Sequence, residues 1–177
     1  MSRYDRMHFG FIRFVHETLY GLFVKPTIKL NAAGIKPGQK VLEVGCGPGF
    51  FTIPAAKIVG TEGHIYALDV NPVAVEHVRR KVELAGPRNV DVMRADASET
   101  RLVDESVDVA FLFAVIHAFH DVGMVMQEMH RVLKTDGILA VQSRWPEEKL
   151  LGAVTANELF RLREKTDGVF KFEKVRK

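Results

Sequence analysis

Val41-Leu42-Glu43-Val44 runs straight into Gly45-Cys46-Gly47-Pro48-Gly49, and helix-forming sequence resumes near Phe50. Closely spaced glycines let a backbone turn sharply and approach a ligand, and amides at the following helix start offer donors to an anionic group. An apolar strand, a tight turn and a helix in that order open a strand-helix-strand unit, which commits the chain to a parallel sheet. The spacing separates this turn from two better-known ones. A dinucleotide fingerprint reads G-x-G-x-x-G, whereas here the third glycine comes one residue early and Glu43 stands two residues before the first. No Lys-Ser/Thr pair follows the glycines, which excludes a P-loop.

The rest of the chain continues the alternation. Short Val/Ile/Leu/Phe runs predict strands at Lys40–Val44, His64–Asp69, 90–93, Val107–Phe113 and 138–142. Val41-Leu42 and Ala110-Phe111-Leu112-Phe113 are apolar without alternation, as expected of strands covered by helices on both faces. Asn71-Pro72 reads as the cap and first position of a helix that carries Val75, Val78 and Val82 and stops at Gly86-Pro87. Asp121 caps another, in which Val122, Val125, Met126, Met129 and Leu133 recur at three- and four-residue spacing up to Asp136-Gly137. That stripe is core packing rather than a soft ligand surface. A helix is expected over 153–164, then a single strand over 169–175.

The organisation expected is one domain over 1–177, with a cofactor-binding core at 38–143 and a helical extension at 1–35. Cys46 is the only cysteine in the sequence, so no internal disulfide or thiolate metal cluster can form and no metal site is expected. That fits a reducing, cytoplasmic setting. No window approaches the roughly 18 apolar residues of a membrane span, and the start resembles no signal peptide, so a soluble protein is expected. The net charge of +3, from 25 Lys and Arg against 22 Asp and Glu, is spread along the chain and gives no strong nucleic-acid signal.

Acidic residues give the glycine turn its meaning. The second strand ends at Asp69, where a carboxylate borders the ligand crevice and can accept both hydroxyls of a ribose. Asp96 follows the third strand and can accept from an adenine amino group. With these residues in place, the sequence resembles the class I S-adenosylmethionine-dependent methyltransferases, particularly the small ubiquinone and menaquinone biosynthesis methylases. The stretches that carry the likeness are VLEVGCGPGFF, IYALDVNP, VMRADA, DESVDVAF, VIHAFHD and EMHRVLKTDGIL.

The resemblance implies a Rossmann-like, doubly wound, mainly parallel sheet of order 3-2-1-4-5 plus a C-terminal edge strand, with helices on both faces. It also implies S-adenosylmethionine as cofactor. Glu43 and the backbone of Gly45, Cys46 and Gly47, in the turn closed by Gly49, would hold its methionine portion. Asp69 would take the ribose, and Asp96 with the Ala97 amide the adenine. Val70 would lie against the base, and Phe113-Ala114 would border the methionine end. Where the family usually reads Leu-Lys-Pro-Gly-Gly, this chain has Leu133-Lys134-Thr135-Asp136-Gly137, a change confined to a turn. Relatives finish the sheet with a two-stranded hairpin. Only one strand is evident here, so either the sheet has six strands or a second subunit, in a homodimer, completes its edge.

Methyl transfer from a sulfonium is an in-line displacement with an already activated donor, so alignment and exclusion of water are the protein's main tasks. A base is needed only where the acceptor must lose a proton. His117 and His120, after the fourth strand, are the candidates, with a structural place beside a helix cap as the alternative. Cys46 is a turn residue rather than a nucleophile. Ala114-Val115-Ile116-His117 has no likeness to the Asn/Asp-Pro-Pro-aromatic motif of enzymes that methylate exocyclic base amines, and arsenite methylases rely on several cysteines.

A small, apolar or aromatic acceptor is therefore expected. A protein or RNA methyltransferase and a non-catalytic S-adenosylmethionine or S-adenosylhomocysteine module are the alternatives, and a nicotinamide oxidoreductase is disfavoured by the glycine spacing. Residues 7–24 are dense in Phe, Leu and Val, broken by Arg13, His16 and Glu17. They read as an amphipathic helix that covers the cleft as a lid, packs against the domain, forms a dimer surface or lies on a membrane.

Overall fold

A computed structural model describes residues 25–175; the aromatic segment expected to be helical over 7–24 lies outside them. The element order is α1 (Pro26–Ala32), β1 (Lys40–Val44), α2 (Thr52–Val59), β2 (His64–Asp69), α3 (Pro72–Ala85), β3 (Val90–Arg94), β4 (Val107–Phe113), α4 (Val122–Val132), β5 (Leu133–Gln142), α5 (Glu147–Thr155), β6 (Phe160–Thr166) and β7 (Val169–Lys174), with a 3-10 turn at Ile116–Ala118 before α4. The strands form one sheet in the order β3-β2-β1-β4-β5-β7-β6. The first five are parallel, and β7 and β6 run antiparallel at the far edge.

Local sequence accounts for most boundaries. The Asn71 side chain accepts the Val73 amide at 2.9 Å with Pro72 at the first helical position, and α3 ends on Gly86 at φ +80°. Asp121 caps α4 by accepting the Met124 amide at 3.0 Å. β4 is buried along nearly its whole length because helices cover both faces of the sheet. Its residues alternate between two cores. Ala110 and Leu112 pack with Met126 and Met129 of α4 on one face, while Val109, Phe111 and Phe113 pack with the α1 and α2 side chains on the other.

Three expectations are corrected. The chain turns into a strand, not a helix, beyond α5: α5 stops at Thr155 and β6 begins at Phe160. Six of the seven β6 residues are exposed, as fits an outermost strand, so the alternation that marks a half-buried strand is missing. The sheet consequently has seven strands, and its far edge is completed by the chain's own β6-β7 hairpin, which removes that reason for a second subunit. Finally, α4 ends at Val132 rather than at Asp136-Gly137, because Leu133 adopts extended backbone (φ −70°, ψ 136°) and starts β5 beside Val107.

The parallel register puts the carboxyl ends of the strands in one row. Val44 lies beside Leu68 on one side and Leu112 on the other, and Asp69 pairs with Arg94. The chain order reverses between β1 and β4, so a crevice opens there, where open α/β sheets bind ligands.

Candidate functional site

A cavity of about 440 Å3 occupies that crevice, within the range of small-molecule and cofactor sites. Of the residues singled out in the sequence, Gly45, Asp69, Val70, Asp96, Ala97 and His120 line it. Glu43, Cys46, Gly47, Gly49, Phe113, Ala114 and His117 are not among the lining residues, and each has a different place.

The glycine turn is held by its own neighbours. Gly45, Gly47 and Gly49 all have positive φ, at +74°, +49° and +74°. A Cβ on Gly45 would stand 2.6 Å from a methyl of Val115, so the close approach of the β4 exit requires glycine there. The Gly45 and Cys46 amides donate to the Leu68 carbonyl at 2.8 and 2.9 Å, the Gly49 amide to the Cys46 carbonyl at 2.8 Å, and the Gly47 amide to Asp69 Oδ2 at 2.9 Å. Lys81 Nζ takes the Pro48 carbonyl at 2.8 Å. These four turn amides are thus bonded within the protein, and the helix-start amides expected to serve an anion lie beyond them.

Asp69 is fixed from both sides. Oδ2 accepts from Gly47 and Oδ1 accepts the Asn71 amide at 2.8 Å, which leaves each oxygen a further lone pair for a ligand hydroxyl. At the end of the neighbouring strand β3, Asp96 Oδ1 accepts from the Ser98 amide at 2.8 Å and the Ser98 hydroxyl at 2.7 Å. Those two bonds hold the carboxyl below its ordinary pKa, so it stays ionised. Apolar side chains line the same cavity: Val70 and Met124, both about half exposed, with Val115 and Phe119.

Glu43 is almost fully buried, and its Oε2 accepts from the Thr52 hydroxyl at 2.6 Å. Burial pushes its pKa up to about 8, against the lowering effect of the Thr52 bond and with a smaller push from Asp69. Cys46 is buried, and burial, then Glu43 and Asp69, raise its thiol pKa, which removes the thiolate a nucleophile would need. Phe113 turns to the α2 face and packs edge-on against Phe51 at 5.0 Å between ring centres. Ala114 sits in the left-handed region at φ +55°, a strained conformation at the mouth of the site. His117 is exposed beyond the lining.

Sequence reasoning missed Ser98, Val115, Phe119 and Met124. For Met124 a signal existed: it is an apolar residue in the first turn of α4 that falls off the Val122-Val125-Met126-Met129 stripe, and an apolar side chain off the buried face is available to a ligand. Among the described residues no group of His, Cys, Asp and Glu is arranged to hold a metal ion, and no helix is long and apolar enough to cross a membrane.

A family model described as a methyltransferase domain matches residues 35–170. A demethylmenaquinone methyltransferase of Listeria welshimeri is 34% identical over 137 residues, which cover 77% of this chain and 56% of that protein. The chain therefore spans little more than half the length of this curated relative. An arsenite methyltransferase of Halobacterium salinarum is 30% identical over 109 residues, 62% of this chain and 28% of that protein. Among solved structures, a SAM dependent methyltransferase from Aquifex aeolicus superposes with a TM-score of 0.75 at 27% identity, covering 84% of this chain and 89% of that one.

Proposed function

This chain belongs to the class I S-adenosylmethionine-dependent methyltransferases, and from that premise we propose that its crevice holds the cofactor while a small apolar or aromatic acceptor meets the methyl group at the β4 exit. The observation that carries the reading is the pair of oriented carboxylates, Asp69 and Asp96, that line one cavity together with the apolar side chains of Val70, Val115 and Met124. A phosphate-bearing nucleotide would want free amides at that turn, and those of Gly45, Cys46, Gly47 and Gly49 are engaged within the protein.

The residues fit S-adenosylmethionine part by part. Asp69 accepts the ribose hydroxyls, Asp96 and the Ala97 amide take the adenine edge, and Val70 and Met124 give the base apolar walls. The backbone of Gly45, which lines the crevice, takes the methionine portion. Glu43 lies one layer below, braced on Thr52, and shapes the turn. When bound, the cofactor supplies a sulfonium-activated methyl group. The protein aligns the acceptor for in-line attack and keeps water out. Where the acceptor must shed a proton, His120, which faces the crevice, is assigned the task in preference to His117. The relative that acts on demethylmenaquinone supports a quinol-like aromatic ring as acceptor. An arsenite acceptor is disfavoured by the single cysteine, which is buried.

Calorimetric titration with S-adenosylhomocysteine tests the cofactor assignment. Asp69→Asn is expected to weaken binding about tenfold or more, the usual effect of losing a charge-assisted hydrogen bond. Parent-like affinity in that variant, or binding of NADH in place of S-adenosylhomocysteine, would sink it. Transfer of labelled methyl to a panel of hydroxylated quinones tests the acceptor class; methylation only of protein or RNA, or binding with no turnover, would favour those readings instead.

A further inference from the structure

Two walls of the crevice come from distant parts of the chain. Asp96, Ala97 and Ser98 belong to the loop between β3 and β4, whereas Asp121, Met124 and Val125 belong to the start of α4. One buried side chain ties them together. Glu128, in the middle of α4, is only 8% exposed, and its Oε1 accepts from the Thr100 amide at 2.7 Å and the Thr100 hydroxyl at 2.6 Å. Arg131, one turn further on, grips the same carboxylate through Nη2 and Nε, both at 2.8 Å, and also reaches Asp104 farther along the loop. Thr100 is itself fully buried, and its hydroxyl accepts the Leu102 amide at 3.2 Å.

The stretch between this clamp and the ligand wall is short and internally bonded. Asp96 accepts from Ser98 through its side chain and from the Glu99 amide through its carbonyl at 3.0 Å, and Thr100 follows at once. A shift at Thr100 relative to α4 would therefore be carried to Asp96 and Ala97 rather than absorbed by slack. A buried carboxylate with four donors is held in one geometry, and charge-assisted bonds of this kind fix position more strictly than apolar contact does.

We propose that Glu128 is a positioning residue for base recognition: through Thr100 it sets the spacing between the Asp96-Ala97 edge and the α4 wall, and so the preference of the slot for adenine. The inference rests on the cofactor reading above. The clamp thereby contributes to the discrimination between a base that donates from a 6-amino group and one that carries a 6-oxo group, although neither Glu128 nor Thr100 lines the crevice.

The test compares binding of S-adenosylhomocysteine and its inosine counterpart to the intact chain and to T100V, E128Q and E128A, with the folded fraction read by circular dichroism. The parent is expected to bind the adenosyl form more tightly; a parent that binds neither overturns the cofactor reading and this proposal with it. Among variants of a binding-competent protein, T100V and E128A are expected to lose about tenfold in affinity for the adenosyl form and to bring the two dissociation constants closer together. E128Q keeps an acceptor for Thr100 and should retain most of the preference. T100V removes a single hydroxyl with little change of shape, so it reports even where E128A fails to fold. Variants that melt earlier yet keep the parental affinity and the parental adenine preference would show a purely structural clamp and overturn the proposal.

Discussion

Gly45 carries three demands at once: a left-handed backbone, close approach to Val115 and a place in the crevice wall. Gly45→Ala has no low-energy accommodation, because φ +74° disfavours any Cβ and the added atom would overlap a methyl already 2.6 Å away. A loss of about 2 kcal/mol or more is expected in urea denaturation, together with weaker S-adenosylhomocysteine binding. Adding Val115→Ala should recover the steric share and leave the backbone share. Parental stability in the single variant would contradict the close approach. The sequence showed that glycine was needed in this turn, and it showed Asp69 and Asp96 as the acids beside the ligand. It could not show that the turn's amides are engaged within the protein. That depends on Leu68 and Asp69, more than twenty residues away, capturing the amides across the β1-β2 pair. The burial of Glu43 was hidden for the same reason, since only packing of α2 onto β1 brings Thr52 to its carboxyl.

Elements were legible where they are amphipathic or wholly buried. β1, β2, β4 and α3 appear where their apolar patterns and caps put them. The β6-β7 hairpin escaped because its outer strand is almost wholly exposed and more than half charged, with Arg161, Arg163, Glu164 and Lys165 turned to solvent, which keeps a free sheet edge from pairing with other chains. One local signal was present all the same. Thr166 pairs with Val169 around Asp167-Gly168, at φ +50° and +72°, and positive φ at both central residues is what two-residue hairpin turns of this hand require. Gly168→Val is accordingly expected to cost about 1–2 kcal/mol in thermal unfolding, more than Asp167→Gly, which relieves the one non-glycine residue held there. Equal stability of the Gly168→Val variant and its parent would mean that the hairpin turn has a different geometry.

At the scale of the whole molecule, the sheet separates two cores, and each has a glutamate whose ionisation opposes the other's in its effect on stability. Glu43, on the α2 side, titrates near 8 when folded and near 4.5 when unfolded, so the stability it contributes is complete below about pH 4.5 and is lost as pH rises towards 8. Glu128, on the α4 side, behaves in the opposite sense. Burial would raise it, but the bonds from Arg131 and Thr100 bring it down to about 2, so its contribution is complete above about pH 4.5 and is lost as pH falls towards 2. Together they place the stability maximum on the acid side of neutrality. Glu43→Gln should flatten the alkaline limb, with a gain over the parent that grows between about pH 5 and 8 to at least about 1 kcal/mol, because each unit of displaced pKa is worth about 1.4 kcal/mol. Glu128→Gln should flatten the acid limb and cost stability at neutral pH, where the ion pair with Arg131 is lost. Urea denaturation at closely spaced pH values from about 3 to 9 separates the two limbs. A parent whose stability climbs steadily from pH 5 to 8, unchanged in shape by Glu43→Gln, would mean that Glu43 is ionised in the folded protein. The turn above it would then rest on a buried charge rather than on a neutral carboxyl.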